Sequence, residues 1–442
     1  MNAPPAMSSC DECATSGQRT DGRAASGATA PTGVKVALAG AAAVMLTAVV
    51  VPAAFSDEPA DTVSPRTADT GIVIVVAPDG DDSGPGTADA PLAEIQEAVD
   101  RAGPGDTIVV RGGTYVLTEN ITITTSGEPG RPITLTAHEG ERVIIDGDRL
   151  PASRTPVGGG IPRPERGSIH QEASFWRIEG LELIRGPYCV YCHNCDDNEF
   201  RNLITRDNYE TGFQLQGDSS RNLIVNLDSH GNHDPRKNGE SADGPGIKEG
   251  RGEGNRVVGA RLWNNADGGF DAREFRSAIT IEDSVAYGNG VNRWDLPNFS
   301  GDGNGFKLGG GTGGGTGVIS ADHVLRNPIA FRNAVDGVVD NGNPGNILIT
   351  RTTTFDNGRN GFTVNRSASE LRGNLSVLDP NPVSAGSSTS VGNSWNLPGP
   401  WNADSVLGTG PGGVTGPRGA GGSIPSTDFL VPRDGTDIGA RF

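Results

Sequence analysis

Acidic residues and one lysine recur in short segments rich in Asn, Asp and Gly. The acidic residues are Asp243, Asp267 and Asp271, and the lysine is Lys307. Carboxylates gathered at one place supply the oxygen ligands that a hard cation such as Ca²⁺ prefers. Because these segments lie far apart in the chain, their chemistry depends on a fold that brings them side by side.

The spacing of six asparagines indicates such a fold. Each closes a short strand-like run, and the gaps between them are 24, 33, 24, 44 and 24 residues, for Asn208, Asn232, Asn265, Asn289, Asn333 and Asn357. A coil of 24 residues with two insertions explains all five gaps, and a repeat of this length is typical of a solenoid. Asn suits a corner because its amide can bond the backbone of its own turn. The sequence therefore predicts an all-β, right-handed parallel β-helix with an Asn ladder.

Aligning the coils by their glycines places the candidate residues in two columns. One column contains Asp243, Gly268, Asn304, Asp336 and Asn360, and the other contains Gly246, Asp271, Lys307, Val339 and Thr363. Neighbouring coils are about 4.8 Å apart. Asp271 should therefore lie one coil from Lys307.

Alternation along a strand predicts which way these side chains point. If Phe270 and Phe306 face the interior, then Asp271 and Lys307 point to solvent. Asp243 and Asp267 belong to the turns just before the strands, so three carboxylates converge from two coils. This arrangement predicts a Ca²⁺ site formed by Asp243, Asp267 and Asp271.

Each of these residues also has a purely structural interpretation. Asp-Gly is common in turns for conformational reasons, and a lysine one coil from an aspartate is usually a surface ion pair that contributes little. Together on one predicted face, the residues favour a functional site.

The composition fits an elongated fold and excludes some partners. The chain has 66 glycines, 34% hydrophobic residues and 5% aromatic residues, which indicates a thin core. The formal charge of -18 argues against a nucleic-acid partner, because no basic stripe is present to neutralise phosphates. It also argues at first against a polyanionic sugar, but a bound divalent cation would reverse that objection locally.

The chain divides into four predicted parts. Residues 1–56 are interpreted as a signal peptide or signal anchor with a long polar n-region, ending in the apolar run 36–55. An acidic linker covers 57–70, the β-helix covers 71–366, and an irregular Gly, Pro and Ser-rich segment that packs on the helix covers 367–442. Both interpretations of the apolar run predict a secreted, extracellular protein, with membrane attachment only if the run is retained. A monomer is expected.

One short amphipathic helix is predicted near the start of the β-helix. Pro91 suits the first helical position, and apolar residues follow at helical spacing as far as Ala102. Such a helix would cover the open end of a stack of strands.

Three cysteines form the segment Cys189-Val-Tyr-Cys192-His-Asn-Cys195. The spacing, together with His193, allows a zinc site, but an exported chain makes a disulfide with one remaining thiol at least as good an interpretation. His230 and His233 are interpreted as loop histidines.

Several longer motifs resemble the pectate lyases of polysaccharide lyase family nine, which are extracellular right-handed parallel β-helices. The resemblance runs from about residue 79 to 363. It is carried by residues 91–99, His233-Asp234-Pro235, Ser241-Ala-Asp-Gly244, Trp263-Asn-Asn265, residues 267–271, Ala286-Tyr-Gly-Asn289, Gly303-Asn-Gly-Phe-Lys-Leu-Gly309 and Asp340-Asn-Gly-Asn-Pro-Gly345.

This resemblance implies Ca-assisted β-elimination of polygalacturonate, an acidic plant cell-wall polysaccharide. It implies Asp243, Asp267 and Asp271 as calcium ligands and Lys307 as the Brønsted base. Gly268 departs from the family, which usually has a second aspartate at this position. A base must be neutral, so a nearby cation should lower the lysine pKa from about 10.4 to roughly 7 to 8. An alkaline optimum is therefore expected.

Two other functions fit the same residues. A β-helical galacturonan hydrolase would use two of the aspartates as acid and base and would leave Lys307 without a role. A non-catalytic β-helix would bind polysaccharide without cleaving it.

Overall fold

The computed structural model describes residues 71–312 and 317–442. Within these residues, short parallel strands form three sheets of 12, 10 and 10 strands, and each successive coil adds one strand to each sheet. The predicted all-β parallel β-helix is therefore confirmed.

The three sheets are called the first, second and third in the order in which their strands are given next. The first sheet contains Val73–Val76, Thr107–Val110, Ile133–Ala137, Trp176–Glu179, Glu199–Arg201, Leu223–Val225, Asn255–Val258, Ile279–Glu282, Val324–Arg326, Leu348–Thr350, Glu370–Arg372 and Thr389–Val391. The second sheet contains Ile121–Ile123, Ile169–Gln171, Val190–His193, Phe213–Asp218, Pro245–Arg251, Phe270–Asp271, Phe306–Lys307, Val338–Val339, Asn360–Thr363 and Asn381–Ser384. The third sheet contains Gly113–Val116, Val143–Asp146, Leu181–Ile184, Ile204–Arg206, Asp228–His230, Arg261–Trp263, Val285–Tyr287, Ile329–Phe331, Thr353–Phe355 and Leu375–Val377.

The core is a narrow column of inward side chains between the three sheets. In the second sheet, Phe270 pairs with Phe306 and Phe306 with Val338, and all three are fully buried. Burying one such side chain contributes about 1.5 to 3 kcal/mol. Stability therefore accumulates coil by coil, as expected for a solenoid.

The predicted Asn ladder is present along the six asparagines spaced through the repeat. The amide of Asn208 donates to Asn232 at 2.7 Å, and the same bond links each following pair as far as Asn333 and Asn357 at 2.9 Å. Asn357 then donates to Asp379 Oδ1 at 2.8 Å. The ladder fixes the register of the coils, because each amide also accepts a backbone N–H.

The predicted helix is Ile95–Arg101, and it lies against the first strands of the first and second sheets. It begins four residues later than predicted, because Pro91 and Leu92 continue the extended chain and Leu92 pairs with Val76. The helix covers this end of the coil with its buried face. The other short helices of the described residues are Pro151–Arg154, Arg163–Glu165, Pro235–Lys237, Ser394–Asn396, Ala403–Ser405, Gly412–Thr415 and Ala420–Gly422.

The β-helix extends beyond the predicted boundary at residue 366. A further coil follows, formed by Glu370–Arg372, Leu375–Val377, Asn381–Ser384 and Thr389–Val391. The prediction was wrong here because Ser and Gly dilute the apolar pattern, although a separate asparagine pair, Asn374 and Asn393, bonds in the turn between the first and third sheets.

Residues 392–442 contain no strand and lie against the third sheet. Val406, Val414, Phe429 and Leu430 are buried there against side chains of the sheet. Arg418 reaches Asp228 at 2.6 Å and adds an ion pair to this contact.

The predicted signal segment 1–56 and linker 57–70 lie outside the described residues. Among the helices that the structure describes, none is long and apolar enough to cross a bilayer.

Candidate active site

The predicted column of charged residues lies on the second sheet. Gly246 pairs with Asp271, Asp271 with Lys307, and Lys307 with Val339, each in parallel register. Lys307 Nζ lies 3.5 Å from Asp271 Oδ2. Phe270 and Phe306 face the interior, as the alternation predicted, so the two charged side chains point away from the core.

These side chains are nevertheless not open to solvent, which corrects the sequence prediction. Asp271 is 1% exposed and Lys307 is 6% exposed. The two coil insertions cover them, and these insertions bond to each other where the Ser300 N–H donates to Asn238 O at 3.0 Å. The extra residues that lengthen the coils thus form the cover of the site.

The same insertions hold the carboxylate of Asp267 from both sides. Its Oδ2 accepts the Ser241 N–H at 3.0 Å, and its Oδ1 accepts the Asp302 N–H at 2.5 Å. The carboxylate of Asp302 itself contacts the Lys307 ammonium. Asp302 was missed by the sequence analysis because its segment has no counterpart in other coils.

Backbone groups of the turns also orient the other two predicted carboxylates. Asp243 Oδ1 accepts the Gly268 N–H at 3.1 Å, and Asp271 Oδ1 accepts the Arg273 N–H at 2.8 Å. In both residues this leaves Oδ2 free to meet a cation. The structure therefore brings Asp243, Asp267, Asp271 and Lys307 into one buried cluster.

A second lysine, missed by the sequence analysis, belongs to this cluster. Lys248 Nζ lies 2.6 Å from Asp243 Oδ2 and 3.3 Å from Asp271 Oδ2. Alternation could have found it, since Gly246 occupies the charged column, Ile247 is buried in the core and Lys248 again points outward.

Burial and mutual repulsion raise the pKa values of two of the acids, whereas the neighbouring lysines lower the pKa of the third. Burial raises the pKa of Asp243, and burial together with the charge of Asp243 raises the pKa of Asp267 to about 8. Burial also acts to raise the pKa of Asp271, but Lys307 and Lys248 outweigh it and lower that pKa. Two lysines thus face three buried acids, of which only Asp271 has a lowered pKa.

The pKa of Lys307 shifts against the sequence expectation. Burial acts to lower it, but Asp271, Asp267 and Asp302 together raise it above its ordinary value. The expected shift towards roughly 7 to 8 assumed a cation as the dominant neighbour, whereas the carboxylates dominate here.

The donor set suits a divalent cation by type but not by arrangement. Three buried acidic side chains supply the oxygen ligands that Ca²⁺ prefers. In residues 71–312 and 317–442, however, no three acidic, His or Cys side chains are placed to hold one ion together. Lys248 occupies the space that Asp243 and Asp271 face. An ion at this point would have to displace its ammonium.

The cysteines and the other histidines lie outside this cluster. Cys192 and Cys195 form a disulfide and Cys189 is a buried thiol, which matches the disulfide interpretation rather than the zinc one. His230 stacks on Trp263 with ring centroids 4.0 Å apart, and His233 stacks on Trp294 at 5.2 Å.

The fold and this cluster define a parallel β-helix with a buried acid and lysine site on its second sheet. A sequence model of the "Pel9A-like, right handed beta helix region" matches residues 74–374. The chain belongs to this Pel9A-like family, and the predicted family resemblance is confirmed.

Named relatives support the same enzyme class. Pectate lyase PEL9 of Emericella nidulans is 48% identical over 386 residues, which cover 83% of this chain and 94% of the relative. Pectate lyase L of Dickeya dadantii is 31% identical over 373 residues, covering 81% of this chain and 83% of that protein. The crystal structure of pectate lyase Pel9A superposes with a TM-score of 0.74 at 30% identity, covering 84% of this chain and 92% of that one. The predicted enzyme class, pectate lyase, is confirmed.

Proposed function

We propose that this chain is an exported polysaccharide lyase that cleaves polygalacturonate by β-elimination with Lys307 as the base. The observation that carries the proposal is the placement of Lys307 one coil from Asp271, with 3.5 Å between Nζ and Oδ2, inside a buried acid cluster. The pectate lyases of similar sequence support the substrate class.

The reaction removes the proton on C5 of a galacturonate, next to its carboxylate. The C5–H electron pair forms a double bond to C4 while the bond from C4 to the glycosidic oxygen breaks. The base takes the proton, and the departing oxygen is protonated by solvent. Lys307 suits this step only as a neutral amine, because an ammonium has no lone pair to accept a proton.

The surrounding residues restrict the position of that amine. Lys307 is 6% exposed, and its Nζ is held between Asp271 and Asp302. Water is thereby largely kept from the base, and the amine has few rotamers. Holding a base in one position contributes to catalysis by reducing the entropy cost of reaching the reacting geometry.

Asp243, Asp267 and Asp271 are the residues that would hold Ca²⁺ in this proposal, once the Lys248 ammonium has left the oxygens of Asp243 and Asp271. When bound, the ion would offset the negative charge that develops beside the substrate carboxylate as the proton leaves. Support comes from the type of the three side chains, because carboxylate oxygens are the ligands that Ca²⁺ prefers.

The remaining parts of the proposal are an extracellular location and a monomer. The extracellular location rests on the apolar run 36–55 that precedes the β-helix.

The test is cleavage of polygalacturonate by the parent chain and by Lys307→Met. The parent should form unsaturated products that absorb in the ultraviolet, and the variant should lose about 10²- to 10⁴-fold in rate, the usual contribution of a general base. Lys237→Met is the matched control, because this lysine lies nearby and bonds Ser241 Oγ at 3.0 Å without touching the acid cluster. Calcium titration and a chelator test the metal.

Three outcomes would contradict the proposal. Saturated reducing ends without ultraviolet absorbance would indicate a hydrolase. Binding without cleavage by the parent would indicate a non-catalytic β-helix. Equal rates for the parent and a folded Lys307→Met chain would exclude the lysine as the base.

A further inference from the structure

Lys248 is a buried ammonium that the proposed reaction does not use. It is 8% exposed, lies on the strand Pro245–Arg251, and has both of its ion-pair partners among the proposed calcium ligands. Its Nζ is 2.6 Å from Asp243 Oδ2, which is also the oxygen that the Gly268 N–H leaves free.

An ammonium and a divalent cation cannot use these oxygens at the same time. Calcium needs oxygen atoms at 2.3 to 2.6 Å, and Asp243 Oδ2 and Asp271 Oδ2 already face Lys248 Nζ. A metal between them would also lie beside a positive charge in a buried site, where screening by water is weak. Lys248 must therefore leave these carboxylates before an ion can bind them.

Gly268 allows this arrangement. A Cβ at this position would lie 2.9 Å from Asp243 Oδ1, so a side chain there would displace that carboxylate or add to it. Because residue 268 is glycine, it contacts Asp243 through its backbone N–H alone. The cluster also has one acid fewer than it would have with an aspartate at this position. Lys248 bridges two of the remaining acids, Asp243 and Asp271.

We propose that Lys248 is a resident cation of this site, which holds Asp243 and Asp271 together without metal and competes with Ca²⁺ for them. The inference rests on the proposed function only in that both concern the same carboxylates. It assigns Lys248 as a positioning residue, since its contacts are with Asp243 and Asp271 rather than with the base.

The experiment measures Ca²⁺ binding by isothermal titration calorimetry, and the calcium-induced rise in melting temperature, at one fixed mildly alkaline pH. The full chain, Lys248→Met and Lys237→Met are compared. Removing the competing ammonium should tighten Ca²⁺ binding by about tenfold or more, equivalent to about 1.4 kcal/mol. The melting temperature of Lys248→Met should also rise more with calcium than that of the parent.

The control is Lys237→Met, which should bind Ca²⁺ as the parent does. Equal or weaker binding by a folded Lys248→Met chain would overturn the inference. If Lys248→Met is unfolded without metal, Lys248→Gln is prepared and both variants are measured with added calcium. Calcium should restore the fold, because the ion replaces the missing ammonium between the carboxylates. Failure of calcium to restore either variant would also overturn it.

The two proposals fail separately. Calcium binding is read without substrate, so a tighter Lys248→Met complex in a chain that cleaves no polygalacturonate would refute the lyase and leave the resident cation standing. If the parent cleaves polygalacturonate and Lys248→Met binds calcium with unchanged affinity, the lyase proposal is supported and the resident cation is refuted.

Discussion

Asp302 should control the pH at which Lys307 becomes a base. Its carboxylate contacts the Lys307 ammonium from the insertion that covers the site. The side chain of Lys307 is 8% exposed, whereas that of Asp302 is 47% exposed. Asp302→Asn removes one negative charge from the base and leaves the buried acids in place.

The sign follows from the protonation state that the reaction needs. Asp302 is one of the groups that raise the pKa of Lys307, so its neutralisation lowers that pKa. More of the lysine is then neutral at any pH below its pKa, and the rate there rises. Because Asp302 is half exposed, the pair contributes about 1 kcal/mol at most, which corresponds to about 0.7 pKa units and a rate increase of up to about fivefold.

The assay is the initial rate of unsaturated product formation from polygalacturonate across the neutral to strongly alkaline range. Asp302→Asn should move the rising limb of the profile to lower pH. Asp295→Asn is the matched control, since it removes the same charge from the same covering segment seven residues earlier in the chain. A limb that stays in place, or moves to higher pH, would refute the assignment of Lys307 as the group that must lose a proton.

Two further predictions concern stability. Asn289→Ala should lower the free energy of unfolding by about 2 to 5 kcal/mol in urea titrations, because the buried backbone N–H and side-chain amide of Asn265 lose their acceptor. The control Asn346→Ala, at an exposed asparagine, should change the free energy of unfolding by less than about 0.5 kcal/mol. Equal effects of the two substitutions would refute the role of the ladder in stability. Burial lowers the pKa of His323 to about 4. Between about pH 6.5 and 4 the folded state therefore binds fewer protons than the unfolded state, and the free energy of unfolding should fall by about 3 kcal/mol as the pH falls through that window. His323→Asn keeps an acceptor for the Ile279 N–H and should abolish this loss, and a parent chain whose stability is flat over the window would contradict the prediction.

The repeat made most of the fold predictable. In a solenoid, neighbours across coils are set by one period, so the asparagine repeat and the alignment of the coils by their glycines were enough to place Asp271 beside Lys307. The cover of the site was not predictable in the same way. Asp302 lies in an insertion with no repeat, and its contact with Lys307 depends on how that segment folds back.

Lys248 is a different case, because the signal was present in the sequence. Gly246, Ile247 and Lys248 alternate outward, inward and outward on one strand. The predicted column passes through Gly246, and Lys248 lies two residues further along the same strand. Alternation alone, however, could not show that the long side chain turns towards Asp243 rather than to solvent.

The charge balance of the cluster bears on how so acidic a chain could accept a polyanion. Lys248 and Lys307 offset two of the three buried acids, and the pKa of Asp267 near 8 means that it is largely protonated at neutral pH. The formal charge of -18 therefore describes the surface more than the site. The acidity of the composition therefore does not extend into the site, where two lysines face the buried acids.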